Sequence, residues 1–387
     1  MGNSSLQREM DKFLRQANGT EFNIRSITKS AFSQSRKQLK PEAFLELNDL
    51  VCQEFYEGAP YVGYNNHRVL GIDGSRVLLP NSEDIAKGFG TVGYGPNGDS
   101  QRSLATVSFL YDVGNYLTVD AQVADKDGSE KSLLHKHLEK VERGDLLLMD
   151  RGYPSKALFS ILASKGIEFC IRMKEDWWLP VNSFAQSDAL DMEVVFELSE
   201  KDMEEYVPRY PGMERKVKCR LVKAVLDNGV TEILCTSLLD THKYPLADFK
   251  EIYHLRWGVE EGFKMFKSRI DIEAFTGKSV VSVKQDIYAK TMMMSLCAAF
   301  AFPIDQKVKA EYAAKKDLKH SQKINRTNAY ANTKTVAISI LLKNKIKEGI
   351  AAFDEIVYKT REIIRPNRSN PRKHKPKRQH SMNYKQI

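Results

Sequence analysis

The chain lacks what would mark a zinc module, a disulfide scaffold or a membrane protein. Its five cysteines (Cys52, Cys170, Cys219, Cys235 and Cys297) are odd in number and show no CxxC or Cys/His spacing. Neither a structural zinc site nor a disulfide framework is supported. Cys170 and Cys297 fall in apolar runs and read as reduced core residues. The start, MGNSSLQREMDKFLRQ, has no apolar segment of signal-peptide type. The longest apolar stretch, Met292 to Ile304, contains Pro303 and is too short to cross a bilayer. The expectation is a soluble, cytoplasmic protein. Histidines are scattered, and His135 and His137 read as surface positions on an expected helix.

What is present fits a globular chain of two or three domains: 387 residues, 42% hydrophobic and 28% charged. The charge is unevenly placed. Residues 361–387 hold nine Lys/Arg against one acid, so +8 of the +9 net charge sits there and residues 1–360 carry about +1. With three prolines and almost no apolar residue after Ile364, this segment reads as a basic arm for phosphate contact. Arg365, Arg368, Arg372 and Lys373 are its candidate DNA ligands. A merely solubilising tail is the alternative.

The most informative spacing is Tyr253-x2-Arg256-x3-Glu260-x6-Lys267. On a regular helix at about 100° per residue these side chains share an arc of roughly 60°. Ile252, Leu255, Val259, Phe263, Phe266 and Ile270 form an apolar face beside it. Taken alone, such a stripe is usually a solvated charged face. Two aspartates upstream change that reading. Asp73, in Ile72-Asp73-Gly74-Ser75, ends a short apolar strand, and Asp150, in Leu146-Leu147-Leu148-Met149-Asp150-Arg151-Gly152-Tyr153, ends another. A carboxylate at the end of a buried strand needs a partner. Either one alone could be a turn or cap residue. Three carboxylates, two on strands and one on a helix, make a seat for hard divalent cations that clamp the attacking and leaving oxygens at phosphorus.

Asp73, Asp150 and the Tyr253/Arg256/Glu260/Lys267 signature together resemble the DDE transposases of bacterial insertion sequences, and more narrowly the branch defined by its Tyr-Arg-Glu-Lys signature. The likeness extends to Ser30-Ala31-Phe32-Ser33-Gln34-Ser35-Arg36-Lys37, to Phe275-Thr276-Gly277 with Gln285-Asp286-Ile287-Tyr288-Ala289, and to Ile364-Arg365-Pro366-Asn367-Arg368-Ser369. It covers about residues 30 to 370. The resemblance implies a metal-dependent DNA transposase in which Asp73, Asp150 and Glu260 hold two Mg²⁺ ions, with Mn²⁺ able to substitute. It further implies double-stranded DNA partners (terminal inverted repeats and target) and a homodimer on DNA.

The pattern of elements agrees. Residues 1–65 read as helical, with Pro41 starting a helix to Phe55 and a role as an accessory end-binding domain. Strands are expected at 68–73, 75–79, 103–112 and 116–123. A helix (about 129–142), a strand (145–150), a helix (154–165) and a strand (167–173) follow. Among α/β options, the motifs favour a ribonuclease-H-like core, residues 66–174 being its first part. Glu260 follows Asp150 by 110 residues, more than such a core needs. Residues 175–246 supply the excess as a β-strand insertion, with Asp227-Asn228-Gly229 as a hairpin turn. Residues 247–304 carry the signature helix and the rest of the core. A helical region (305–360) and the basic arm (361–387) complete the chain. Lys315, Lys316, Lys319 and Lys323 lie on either a DNA-facing surface or a solvated linker.

Chemistry then suggests roles. Arg256 offers a planar fork for phosphate, Lys267 a point charge, and Tyr253 a phosphate ligand rather than a nucleophile. An i,i+4 ion pair with Glu260 is the alternative for Arg256. Arg151 is placed to approach DNA. Trp257, Trp177 and Trp178 are candidates for stacking on bases, with core packing as the alternative. Two other functions remain open: an inactive or domesticated DNA-binding copy, and a metal-dependent nuclease without strand transfer.

Overall fold

The computed structural model describes residues 5–94, 98, 100–226, 229–314 and 320–364. Three helices open it: α1 (Leu6–Asn18), α2 (Lys29–Arg36) and α3 (Ala43–Gly58). Ser5 and Thr28 start the first two by accepting from the backbone N–H of Arg8 and Ala31. Next come β1 (Val69–Leu78), α4 (Glu83–Phe89), β2 (Val92–Tyr94), β3 (Ser100–Arg102), β4 (Leu104–Asp112) and β5 (Thr118–Ala124). Then α5 (Glu130–His137), β6 (Leu146–Met149), α6 (Lys156–Lys165) and β7 (Glu168–Arg172) follow. They lead to α7 (Leu179–Gln186), β8 (Asp191–Glu197), α8 (Glu200–Tyr206), β9 (Lys216–Val225) and β10 (Thr231–Thr236). The remainder is α9 (Phe249–His254), α10 (Trp257–Lys264), a π-helical turn (Met265–Arg269), α11 (Val280–Ala314), β11 (Gln322–Lys323), α12 (Arg326–Lys343), α13 (Ile346–Lys359) and β12 (Glu362–Ile363).

The chain forms two compact units. One comprises Ala59–Ser75 and Thr106–Phe263, and the other Met1–Gly58, Arg76–Ala105 and Lys264–Ile387. The first is mixed α/β around an eight-stranded sheet of order β5-β4-β1-β6-β7-β10-β9-β8. β1, β6 and β7 run parallel, and the strands on either side pair antiparallel. β6 is Leu-Leu-Leu-Met and buried throughout, as a central parallel strand covered on both faces must be. α6 lays Leu158, Phe159, Ile161 and Leu162 into the core, with Phe159 stacked on Phe169 at 4.8 Å.

Two strand expectations change. Residues 68–73 and 75–79 form one ten-residue strand, β1, in spite of Gly74. The strands of 175–246 pair with β7 and extend the central sheet. Asp227 and Asn228 of the expected hairpin turn lie outside the described residues, but β9 and β10 pair antiparallel around them.

An ion pair fixes the register of the two central strands. Arg68 directly precedes β1 and Asp145 directly precedes β6. The guanidinium donates from Nε and Nη2 to the two carboxylate oxygens at 2.9 and 2.6 Å. Both residues are buried.

The other unit is mainly helical. α11 is buried against α3, α12 and α13, with Phe302 edge-on to Phe55 at 5.0 Å. By length and composition α11 could cross a membrane, but 56% of its most apolar window is buried, as in a core helix. Arg36 joins the three segments around residues 36, 276 and 285. It donates to Gln285 (2.8 Å), Thr276 (2.5 Å), the Ser282 carbonyl (3.3 Å) and Asp286 (3.1 Å). All five cysteines are free and buried, Cys170 and Cys297 in the core as expected.

Arg68→Leu leaves Asp145 buried without its main partner, and should destabilise by about 3 kcal/mol. The double change Arg68→Leu/Asp145→Leu should recover much of that loss. Chemical denaturation midpoints of the single and double variants check this.

Candidate active site

The site begins with register. β1 and β6 pair Val69 with Leu146, Leu70 with Leu147 and Gly71 with Leu148. Continuing that register two residues brings Asp73 level with Asp150; Asp150 is the first residue past β6, as expected, whereas Asp73 lies inside β1 rather than at its end, because the strand runs on to Leu78. Each carboxylate also accepts from a local N–H: Asp73 from Gly74 (2.9 Å) and Asp150 from Gly152 (2.7 Å). The turn geometry considered from sequence is therefore present as well, and it orients the side chains.

A buried relay holds the Asp73 backbone. The Ser108 hydroxyl donates to the Asp73 carbonyl (3.1 Å), His137 Nε2 lies 3.0 Å from Ser108 Oγ, and His137 Nδ1 lies 2.7 Å from Asp120 Oδ2. His137 is fully buried, which corrects the expected surface position. Its partner Asp120 would be raised by burial, but the His137 contact, Gln122 and the Ala121 N–H hold its carboxyl below the ordinary value. His135 is partly buried and stacks on Tyr206 at 5.8 Å.

The helix carrying Glu260 packs on the same sheet through glycines. A Cβ on Gly258 would stand 2.9 Å from Val113 Cβ, and one on Gly262 3.1 Å from the Tyr111 ring, so larger residues would lift the helix off. Val259 packs against Gly71, and Phe263 stacks on Phe109 at 4.3 Å.

The signature is not one uniform helix. α9 ends at His254, Arg256 and Gly258 bond back three residues to Tyr253 and Leu255, and α10 starts at Trp257. A π-helical turn carries Lys267. The single 60° stripe is thus replaced by three short pieces. Arg256, 7% exposed, occupies the break and donates to Glu260 at 2.9 Å. The i,i+4 pair weighed as its alternative role is therefore formed.

Charge proximity links the pieces. The Asp73 carboxyl is pushed up to about 6, first by burial, then by the carboxylates of Glu130 and Asp150, against the Gly74 N–H and Arg256. Arg256 feels Tyr253, Glu260 and Asp73 together. Three polar atoms here are buried without a hydrogen-bond partner: Tyr253 Oη, Arg256 Nε and Tyr153 Oη. Orphaned buried groups are costly and rare.

The Transposase DDE domain family model matches residues 64–296, a span containing Asp73, Asp150 and Glu260. The chain belongs to this transposase DDE-domain family. It is 22% identical over 278 residues to "Transposase InsG for insertion sequence element IS4" of Escherichia coli (strain K12), covering 70% of this chain and 60% of that protein. It is 21% identical over 335 residues to the "Transposase for insertion sequence element IS231F" of Bacillus thuringiensis subsp. israelensis, covering 76% of this chain and 69% of that one. A solved structure, "Cryo-EM structure of piggyBac transposase synaptic complex with hairpin DNA (SNHP)", aligns with a TM-score of 0.39 at 10% identity, over 74% of this chain and 57% of that one.

DDE-domain transposases use divalent metal ions. The donor set here fits one: hard carboxylate oxygens, in excess over the single neighbouring guanidinium. Among the described residues no three His, Cys, Asp or Glu are gathered closely enough to hold an ion already. Glu260 is turned to Arg256 instead.

The remaining sequence candidates are more dispersed. Lys267 donates to the Arg76 carbonyl at 2.6 Å. Arg151 is exposed on the turn after Asp150. Trp257 is 49% exposed and 5.0 Å from the Arg256 guanidinium, so core packing is not its role. Trp177 is exposed beneath Lys174 at 4.6 Å, whereas Trp178 stacks on it and packs edge-on to Phe159 and Phe196. Arg365, Arg368, Arg372 and Lys373 lie outside the described residues, as do Lys315, Lys316 and Lys319. Sequence reasoning gave Tyr153 no role. Tyr153 stood inside the quoted strand-end motif, so its position three residues after Asp150 was the available signal.

A raised carboxyl favours the protonated folded state. The Asp73 contribution to stability is therefore present below about pH 4 and is lost as pH rises through about 6. In a metal-free buffer, Asp73→Asn should be more stable than the parent at pH 8 by on the order of 1 kcal/mol. The difference should shrink toward pH 4, as thermal unfolding in chelator across that range would record.

Proposed function

We propose that this chain is the transposase of an insertion sequence, cutting DNA at the element's ends and joining the freed 3′ ends to a target. The observation that carries the reading is that the register of the parallel strands β1 and β6 brings Asp73, within β1, level with Asp150, the residue after β6, with Arg256 electrostatically coupled to both Asp73 and Glu260. The order β5-β4-β1-β6-β7, with β5, β4 and β1 successively antiparallel and β1, β6 and β7 parallel, supports a ribonuclease-H-like core. The Tyr253/Arg256/Glu260/Lys267 spacing supports the Tyr-Arg-Glu-Lys branch.

Asp73, Asp150 and Glu260 would hold two divalent ions, Mg²⁺ with Mn²⁺ able to substitute. Such ions lower the pKa of a bound water and stabilise a departing 3′-oxygen. The protein's own groups do the rest. Glu260 exchanges its Arg256 partner, which frees a planar fork for a DNA phosphate. Tyr253 Oη, buried and without a partner, adds a donor beside it. Trp257, Trp177 and Arg151 present exposed surface for DNA, and the segment from Arg365 supplies phosphate contacts. Double-stranded DNA ends and target are the partners, two copies act together on them, and the work is done in the bacterial cytoplasm.

The test uses DNA from the inverted repeats flanking the gene. Glu260→Gln should bind such ends as the parent does and cut them at least about 100-fold more slowly, as loss of a group acting on the reacting oxygens implies. Full cleavage by that variant would sink the carboxylate assignment. The parent protein given a pre-cut 3′ end should join it to a plasmid; hydrolysis alone would mark a nuclease.

A second expectation concerns the basic segment. Removing residues 365–387 should weaken DNA binding and flatten its dependence on log salt by about 0.9 per lost phosphate contact. Filter binding across a salt series measures the slope.

A further inference from the structure

Three sequence segments, Ser30–Lys37, Phe275–Gly277 and Gln285–Ala289, lie outside both aspartate motifs and the Tyr253–Lys267 signature. All three contribute to one open cleft of about 250 Å³ in the mainly helical unit. Ser33, Arg36 and Lys37 line it from α2 and its carboxyl end. Thr276, Lys278 and Gln285 line it from the loop before α11 and the first turns of that helix.

The floor of the cleft is built from interlocking bonds. Arg36 donates to Gln285, Thr276, Asp286 and the Ser282 carbonyl. Gln285 Nε2 donates in return to the carbonyls of Arg36 (2.7 Å) and Leu39 (2.6 Å), which closes the end of α2. Ser279 and Ser282 cap the start of α11 reciprocally. Ser282 N–H donates to Ser279 Oγ at 3.2 Å, and Ser279 N–H to Ser282 Oγ at 3.0 Å. The loop is also tied to the start of α4: Ser82 Oγ donates to the Lys278 carbonyl (2.8 Å), and Asp84 accepts from Val280 N–H (2.7 Å). The cleft is thus a preorganised shape, which a ligand does not have to assemble.

The charge on its wall has one sign. Arg36, Lys37 and Lys278 are cationic, and among the described residues no carboxylate lines the cleft. Asp286 is paired with Arg36 at 3.1 Å, and Asp84 is engaged by Val280 N–H. Lys37 and Lys278 are exposed, so a ligand reaches them without disturbing the Arg36 network. Exposed lysines alone say little. Here they border a fixed cleft walled by hydroxyls and without an acid, which excludes a cation and suits a phosphate, for which lysine serves as a point charge. Access from solvent suits a phosphate carried on a larger molecule.

We propose that this cleft binds one backbone phosphodiester of DNA, gripped by Lys37 and Lys278 with the Ser33 hydroxyl. This rests on the DNA reading made above. It adds a contact that none of the residues assigned there supplies.

The experiment uses the full chain and duplexes from the inverted repeats, each carrying one neutral methylphosphonate at a successive position. No divalent ion is added, so binding is read without turnover. The parent should lose affinity wherever a phosphate it touches is neutralised. Lys37→Ala/Lys278→Ala should bind the unmodified duplex about 5- to 10-fold more weakly, as loss of a charge-assisted contact by exposed groups implies. It should also become insensitive at one of the parent's positions while keeping the rest of the pattern. Lys37→Arg/Lys278→Arg should keep the whole pattern. Arg36 is left in place because the floor depends on it, and circular dichroism confirms the fold of each variant. If the double alanine variant shows the parent's entire pattern, the cleft holds no DNA phosphate and the inference is overturned while the DNA reading stands. If the parent is insensitive at every position, the DNA reading fails with it. A final arm titrates inorganic phosphate, followed by phosphorus NMR line width. Phosphate binding that the double alanine variant loses, with its DNA pattern unchanged, would mark a site for a free anion and overturn the DNA assignment.

Discussion

The buried ion pair between Arg68 and Asp145 sits at the amino ends of β1 and β6, and the aspartates follow further along, Asp73 midway in β1 and Asp150 just past the end of β6. A bidentate guanidinium–carboxylate contact admits one geometry. It locks the two backbones in step, and five residues later that step becomes the levelness of Asp73 and Asp150. A slip of one residue would turn one carboxylate to the other face of the sheet. The pair therefore governs the site without touching it. Everything else at the site is built onto this frame: the Ser108–His137–Asp120 relay under the Asp73 carbonyl, and the glycine-faced helix that brings Arg256 and Glu260 against β1.

The frame is stable enough to carry features that oppose folding. Asp73 is half-buried beside like charges, and Tyr153 and Tyr253 hold hydroxyls with no hydrogen-bond partner. Each would be selected out of an ordinary core. All three have the Arg256 guanidinium among their charged neighbours. Unfavourable local chemistry concentrated in this way is the mark of a site whose energy is balanced by something it binds.

Much of this was legible in the sequence because the relevant signals were local. A run such as Leu146–Met149 can only be a buried strand, and an aspartate at its end announces itself. The Tyr253–Lys267 spacing likewise named the helix, though not its break. Just past the break the helix lies close on Val113 at Gly258 and on Tyr111 at Gly262, partners more than 140 residues away in sequence. His137 was misplaced for the same reason: its burial is decided by Asp120 and Ser108, on neighbouring strands. The joining of β8, β9 and β10 to the central sheet is a pairing of distant segments, which periodicity does not report.

Three of the buried thiols lie close together in the sheet. Cys170 is on β7, Cys235 on the adjacent β10 and Cys219 on β9 beyond it, and none has any exposed surface. Burial raises Cys170, and burial with its thiol neighbours raises Cys235, so both stay protonated and slow to react. An alkylating reagent in solution reaches them only when these strands part. The rate of their modification is therefore a clock for the opening of the sheet, carried by the natural chain and needing no added label.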